Sequence, residues 1–344
     1  MKNYSLRYRF WQKIGRFFAK LLLVLLAAVY LWQFLPPIAS MPEFILMNQT
    51  VRLVIGVLAL LYIIIAFFVF PASRIFLAGI AVVALILIWS IHPVSLGKVT
   101  QYDCPKADSA LTIYNQNIQA SSQSADSLLR ILNQLQPDLI ALQEVGFKKW
   151  QQLFLQLKTK GYTGYRGRHP EEYKSSLSYA VFTRLECRNN RSYLLSGPEW
   201  LPEWNIQYLE VNYRGQWVAL FNVHLNSVFS DREPPEIELN NHWVTLEQLK
   251  EIMALVEEQG LPAIIVGDFN KTPTSKYMKP VDDWNDAWME AGLGFGYTWH
   301  SKFPLFRIDY CFYDSCFRAL SCKVIENHFS DHLGLLTAIA YSED

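Results

Sequence analysis

The chain has 344 residues, 51% of them hydrophobic, and its 31 Lys/Arg balance its 31 Asp/Glu. That balance hides a split: residues 1–94 hold 8 basic residues and one acid, which leaves 23 basic and 30 acidic residues, a net charge of −7, in the remainder. A body of that sign is poorly matched to general phosphate neutralisation on nucleic acid, and the five cysteines, with no C-x-x-C pair and no zinc-like Cys/His spacing, argue against a structural zinc site.

Residues 17–35, 53–70 and 75–91 are apolar runs broken only by Lys20, Gln33 and Ser90. Each has the length of a bilayer crossing, ~20 residues with a lower limit of ~17. The first run also admits a signal-peptide reading, against which stand its long apolar core and the two runs that follow. The expectation is three transmembrane helices, forming a membrane anchor over residues 1–94. Six Lys/Arg precede or enter the first run, so the positive-inside rule puts the N-terminus in the cytoplasm. Three crossings then make a multi-pass integral membrane protein whose catalytic domain lies on the extracytoplasmic side. No run carries a central charge, which argues for an anchor over a transporter. The odd cysteine count announces no disulfide framework and sits poorly with an oxidising compartment.

Residues 95–110 read as a polar linker, and residues 111–344 as one domain large enough for a substantial core. Residues 111–114 form a strand ending in Asn115, Gln116 and Asn117. A polar run then caps a helix whose apolar face is Leu128, Leu129, Ile131, Leu132 and Leu135, and Pro137-Asp138 stops it. Residues 139–142 form a second buried strand ending in Gln143 and Glu144, which closes a β-α-β unit. Residues 178–184 read as a strand. Residues 208–211 and 217–223 read as an antiparallel pair around Arg214-Gly215, and the second leads into His224 and Asn226. Residues 227–241 are polar and Pro-containing, as an exposed loop would be, and 243–259 read as an amphipathic helix. Residues 263–266 form a strand that runs into Gly267 and presents Asp268 and Asn270. Along an extended backbone those two side chains share a face; the alternative is an ordinary strand end with an Asx turn. Residues 307–312 are a further strand holding Asp309, and Ser330-Asp331-His332 follows later.

Each strand end alone has a plain explanation: a turn residue for Asn117, a surface acid for Glu144, a core histidine for His224, a loop pair for Asp331 and His332. Together, each after an apolar strand, they form a set of oxygen and imidazole groups suited to a hard cation and a phosphate.

The pieces PDLIALQEV (137–145), AVFTR (180–184), NVHLNS (222–227), VGDFNKTP (266–273), DAW (286–288), RIDYCF (307–312) and SDHLGL (330–335), with Asn117 before Ile118, resemble the endonuclease/exonuclease/phosphatase superfamily. The resemblance implies a four-layer α/β sandwich of two packed mixed sheets flanked by helices. It also implies a phosphoester hydrolase that uses Mg²⁺, with Mn²⁺ as the alternative. Carried over by motif, Glu144, Asn117 and Asp331 are the metal ligands. His332 is the general base oriented by Asp309, and Asp268 positions or deprotonates the attacking water. Asn270 and His224 hydrogen-bond the phosphoryl oxygens, and Arg184 and Asn226 bind substrate. Thr183 replaces the Ser usual before Arg184, and residues 164–174 match no motif. The substrate is expected to be a lipid headgroup or small phosphoester, with the bilayer as a partner; a nuclease is the alternative, and a non-catalytic binding module would need a broken metal site.

Overall fold

The computed structural model describes residues 17, 110–119, 125–167, 178–197, 203–227, 235–327 and 329–342, with backbone alone at 203–204 and 235–242. Among these residues no helix is long and apolar enough to cross a membrane. This corrects the expectation of three transmembrane helices, and with it the multi-pass localisation and the extracytoplasmic catalytic domain. The runs 17–35, 53–70 and 75–91, Phe17 apart, lie outside the described residues. A span needs both an apolar sequence and a helix of ~20 residues, and among the described residues the two never coincide. The 25-residue helix Pro235–Gln259 has the length, but carries Glu247, Lys250, Glu251, Glu257 and Glu258.

Two six-stranded sheets make the body. In the first, β1 (Leu111–Asn117), β2 (Leu139–Gln143), β3 (Thr163–Gly167), β4 (Tyr179–Thr183), β11 (Phe317–Ile325) and β12 (Gly334–Tyr341) run in the order β11-β12-β1-β2-β4-β3. In the second, β5 (Cys187–Ser196), β6 (Glu203–Tyr213), β7 (Gln216–His224), β8 (Ala263–Asp268), β9 (Asn285–Asp286) and β10 (Asp309–Tyr313) run in the order β5-β6-β7-β8-β10-β9. Both sheets are mixed: β1 and β2 pair in parallel, as do β7 and β8, and the remaining pairs are antiparallel. The helices bounded within the described residues are α1 (Ala125–Leu135), α2 (Phe147–Lys158), α3 (Pro235–Gln259) and α4 (Ala287–Ala291), with a 3-10 turn at Lys276–Val281.

Strand alternation sorts the apolar side chains into three layers of contact. Leu111, Ile113, Leu139, Ala141, Leu220, Ile264 and Val266 fill the space between the sheets. Tyr114, Ile140 and Leu142, one residue out of phase, pack against Leu128 and Leu132 of α1 and Leu153 and Leu157 of α2. Phe221 and Ile265 pack against Leu249 and Ile252 of α3. The result is the helix–sheet–sheet–helix sandwich that the resemblance implied.

The inner rows turn polar at one end. Ile113 is followed two residues on by Asn115 and then Asn117; Leu220 by Asn222 and His224; Val266 by Asp268. Gln143 Nε2 donates to Asn115 Oδ1 at 2.8 Å and to Asn222 Oδ1 at 2.7 Å, so a buried amide chain joins the sheets where the apolar packing stops. Gly267 makes the close approach of β7 and β8 possible: its φ is +145°, and a Cβ there would lie 1.8 Å from Val223 O.

Several elements depart from the expectations. Residues 235–241 extend α3 instead of belonging to a loop, with Pro235 at the first helical position, where its missing N–H costs nothing. Residues 163–167, unread in the sequence, form the edge strand β3; Gly164 is accommodated because a Cβ would strike Phe182, Trp150 and Phe154. DAW and RIDYCF serve partly as structure. Asp286 caps α4 by accepting from Trp288 N at 2.9 Å, and it takes Arg307 Nη1 at 2.6 Å in a buried ion pair.

Candidate active site

Parallel pairing places strand C-termini side by side. Asn117 aligns with Gln143, the last residue of β2 before Glu144, and His224 aligns with Asp268. The antiparallel β10 begins at Asp309, directly opposite Asp268. Four of the expected residues are thus delivered to one end of the sandwich by register alone.

The contacts are close. Asn117 Nδ2 donates to Glu144 Oε1 at 2.9 Å and to Asp268 Oδ2 at 3.1 Å, which ties the two sheets together. His224 Nε2 lies 3.6 Å from Asp268 Oδ2 and 3.9 Å from Glu144 Oε1. His332 Nε2 lies 3.5 Å from the same Asp268 oxygen, and His332 Nδ1 is 2.9 Å from Asp309 Oδ2. Asn117, Asp268 and Asp309 are each 1% exposed, whereas the Glu144 side chain keeps 24%, so Glu144 stands at the mouth and the others behind it.

Burial and charge act together on the protons. Burial alone would lower the His332 pKa, but the Asp309 and Asp268 carboxylates outweigh it and push the imidazole up to about 10. Burial raises the Asp268 carboxyl, Asp309 adds to the rise, and the two histidines and Asn117 oppose it. The neighbouring carboxylates favour a proton on His332, and burial makes Asp268 more basic than an ordinary carboxylate.

The backbone is held in place around them. Glu144 and Asn270 adopt left-handed φ of +55° and +51°, which for non-glycine residues is a cost concentrated at functional sites. Asn270 N donates to Asp268 Oδ1 at 2.9 Å, so residues 268–270 form the Asx turn rather than an extended pair; Asn270 Nδ2 is turned to Leu225 O at 2.9 Å. Ser330 Oγ donates to Asn117 O at 2.7 Å, and Gln116 Nε2 and Asn327 Nδ2 donate to His332 O at 2.9 and 2.8 Å. Asp331 accepts from Trp299 Nε1 at 3.4 Å and is half-buried next to His332. Asn226 is buried beyond His224, its backbone oxygen accepting from Lys271 Nζ at 3.3 Å.

Arg184 is not brought to this place. β4 runs antiparallel to β2, with Thr183 opposite Leu139 and Ala180 opposite Leu142, so the end of β4 meets the start of β2. Arg184 sits at the other end of the sandwich, its guanidinium 4.4 Å from the Tyr162 ring centroid. This corrects the expectation that it binds substrate: strand direction, absent from the local sequence, decides which end a flanking residue occupies. Asn117 also departs from the ligand role in one respect. Its oxygen accepts from Gln119 N at 3.0 Å, and it is the amide nitrogen that faces Glu144.

Sequence reasoning missed the buried supports Lys149, Ser330, Gln143 and Asn222. Gln143 and Asn222 had a signal, since each continues an inward-facing apolar row by two residues. Lys149 had none, because a lysine in a helix's first turn reads as solvent-facing.

Carboxylates from both sheets gather at this end, a donor chemistry that fits a divalent cation. Asp268, Asp309 and His332 offer ligand atoms all within 4.8 Å of one another, and Glu144 stands beside Asp268's neighbours. Asp309 Oδ1 is buried with no hydrogen-bond partner among the described residues. Carboxylate oxygens crowded in this way repel one another until a hard cation or protons intervene.

The model of the "Endonuclease/Exonuclease/phosphatase family" matches residues 113–332. Among solved structures, the endonuclease/exonuclease/phosphatase from Bacteroides vulgatus is 18% identical and covers 68% of this chain and 100% of its own, with a TM-score of 0.58. The human Nocturnin catalytic domain with bound sulfate is 22% identical over 68% of this chain and 95% of its own, with a TM-score of 0.51. D. rerio TDP2 complexed with a single-strand DNA product is 20% identical over 67% of this chain and 99% of its own, with a TM-score of 0.53. At these identities the likeness is one of fold. No curated protein matches the sequence.

Proposed function

The chain belongs to the endonuclease/exonuclease/phosphatase family, whose members are metal-dependent hydrolases of phosphoesters, and from that premise we propose that it is a divalent-metal-dependent phosphoester hydrolase. The observation that carries this reading is the meeting of His332, His224 and Asn117 on one buried oxygen, Asp268 Oδ2, at 3.5, 3.6 and 3.1 Å.

Glu144 and Asp331 would hold the cation, Mg²⁺ or Mn²⁺, with Asn117 fixing the Glu144 carboxylate. The compact set Asp268, Asp309 and His332 is less suited to that task, because the 2.9 Å bond between His332 and Asp309 occupies two of its ligand atoms. When bound, such a cation draws charge from a phosphoryl oxygen and lets an electron-rich nucleophile approach.

The remaining work falls to side chains. Asp268, raised in basicity by burial, takes the proton of the attacking water; help of this kind is typically ~10²–10⁴-fold. His332, on which Asp309 favours a proton, presents a positive N–H that neutralises charge growing on the phosphoryl group. His224 supports a phosphoryl oxygen from the second sheet, and Asn270, through its bond to Asp268 Oδ1, keeps the carboxylate oriented.

The preferred substrates are small phosphoesters, including lipid headgroups, since a net charge of −7 outside residues 1–94 gives little general attraction for a nucleic acid. Nuclease activity is the second reading, supported by the fold shared with D. rerio TDP2, which holds a single-strand DNA product. The test is a panel of bis(p-nitrophenyl) phosphate, p-nitrophenyl phosphate, phospholipid vesicles and single-strand DNA, each with Mg²⁺ and with EDTA. Hydrolysis of the small esters above DNA supports the first reading, preference for DNA the second, and no turnover of any of them refutes both.

A further inference from the structure

Lys149 lies in the first turn of α2, yet only 8% of it is exposed. The first turn is the positive end of a helix dipole, and a buried ammonium loses its hydration, so both effects oppose a lysine here. Burial pushes its pKa down to about 8, against the pull of Glu144.

What the position provides is reach. Nζ donates to Ile118 O at 3.2 Å and to Gln119 O at 3.0 Å, the two carbonyls directly after Asn117. Gln119 is held at a left-handed φ of +46°, and its N–H donates to Asn117 Oδ1 at 3.0 Å. That bond turns the Asn117 amide so that Nδ2 faces both Glu144 and Asp268. A lysine from the helix after β2 thereby fixes the loop after β1, and the link passes between the two strand ends that carry Glu144 and Asn117.

We propose that Lys149 is a positioning residue of the cation site: it clamps residues 118–119 so that the Asn117 amide keeps its two carboxylate partners and holds Glu144 in its ligating orientation. This rests on the hydrolase reading above only in that Glu144 holds a cation. Losing the clamp leaves two carbonyls without their donor and frees the Asn117 amide to rotate.

The experiment uses the full chain, stripped of metal with EDTA. Mg²⁺ and Mn²⁺ binding are measured by calorimetry for wild type, Lys149→Met and Lys149→Arg, with kcat and KM on bis(p-nitrophenyl) phosphate alongside. Coulomb's law alone makes a neutral residue at this place tighten cation binding; the positioning role makes it weaken. Lys149→Met is expected to weaken binding by about tenfold, the scale seen when groups that orient metal ligands are removed, to lower kcat more than it raises KM, and to be largely rescued by Lys149→Arg. Equal or tighter binding in Lys149→Met, or no rescue by arginine, overturns the proposal. Should Lys149→Met not fold, Lys149→Gln keeps one donor and is expected to bind with intermediate affinity; wild-type affinity there overturns it equally. A wild type that binds cation but hydrolyses nothing would refute the activity while the calorimetry still decides Lys149, and a wild type that binds neither cation overturns both.

Discussion

Asn117 Nδ2 and Asp268 Oδ2 lie 3.1 Å apart, a hydrogen bond that crosses from one sheet to the other and also fixes Glu144, since the same nitrogen donates to Glu144 Oε1 at 2.9 Å. The amide works as a spacer between two carboxylates that would otherwise repel. Asn117→Ala takes a donor from the buried Asp268 carboxylate and from the half-buried Glu144 carboxylate, which costs about 1–3 kcal/mol of stability. Turnover is expected to fall about 10²-fold or more, the scale of losing one preorganised donor. Urea unfolding and kcat/KM check the two together; a stable variant at full activity would mean that the bond is incidental.

The pairing of His332 with Asp309 sets a pH signature. Its folded pKa, about 10, lies above the ordinary histidine value, which is roughly 6.5 in an unfolded chain. Its contribution to stability is therefore fully present below roughly pH 6.5 and is lost as pH rises through about 10. Cation-free protein is expected to lose stability across that window, and His332→Gln to flatten the loss. Imidazole NMR titration gives a direct reading: a His332 that is neutral at pH 7 in the cation-free protein contradicts this picture. A bound divalent cation adds positive charge nearby and is expected to move the titration to lower pH.

Gly267 sits where β7 and β8 close on each other, and a Cβ there would lie 1.8 Å from Val223 O. Gly267→Ala has to displace backbone beside both His224 and Asp268, at an unfavourable φ. The expected cost is about 3 kcal/mol or more, in the range reserved for changes that force the backbone, together with loss of activity. Denaturant midpoints measure it.

Arg184 provides a contrast. It lies at the far end of β4, over Tyr162, so Arg184→Ala is expected to leave KM and kcat within about twofold of wild type, as surface changes away from such sites usually do. A tenfold rise in KM would show that the far end of the sandwich communicates with the site.

The difference between Asn117 and Arg184 explains what the sequence made legible. Asn117, His224 and Asp268 each follow an apolar row at intervals of two, and parallel pairing of β1 with β2 and β7 with β8 then gathers them at one end. Alternation is local and survives in sequence. Arg184 follows an equally clean strand, but its location depends on that strand running antiparallel to its neighbour, a nonlocal fact. Edge strand β3 was invisible because Thr163, Gly164 and Gly167 offer no alternation, and the start of α3 was hidden by Pro235 among polar residues. The Asx turn at Asp268 and Asn270 was one of two readings, and the left-handed φ of Asn270 decides between them. The apolar runs of the first 94 residues, Phe17 apart, lie outside the described residues, and among the described residues no helix is long and apolar enough to cross a membrane.

The most direct measurement is turnover of bis(p-nitrophenyl) phosphate by the full chain with Mg²⁺, with EDTA, and with Asp268→Asn at a thermal midpoint matched to wild type. The expected result is hydrolysis that requires the cation and falls by at least about 10²-fold in Asp268→Asn. Hydrolysis that persists undiminished in EDTA or in Asp268→Asn would contradict the claim that the strand ends carrying Asn117, Glu144, His224, Asp268, Asp309 and His332 form one cation-dependent phosphoester site.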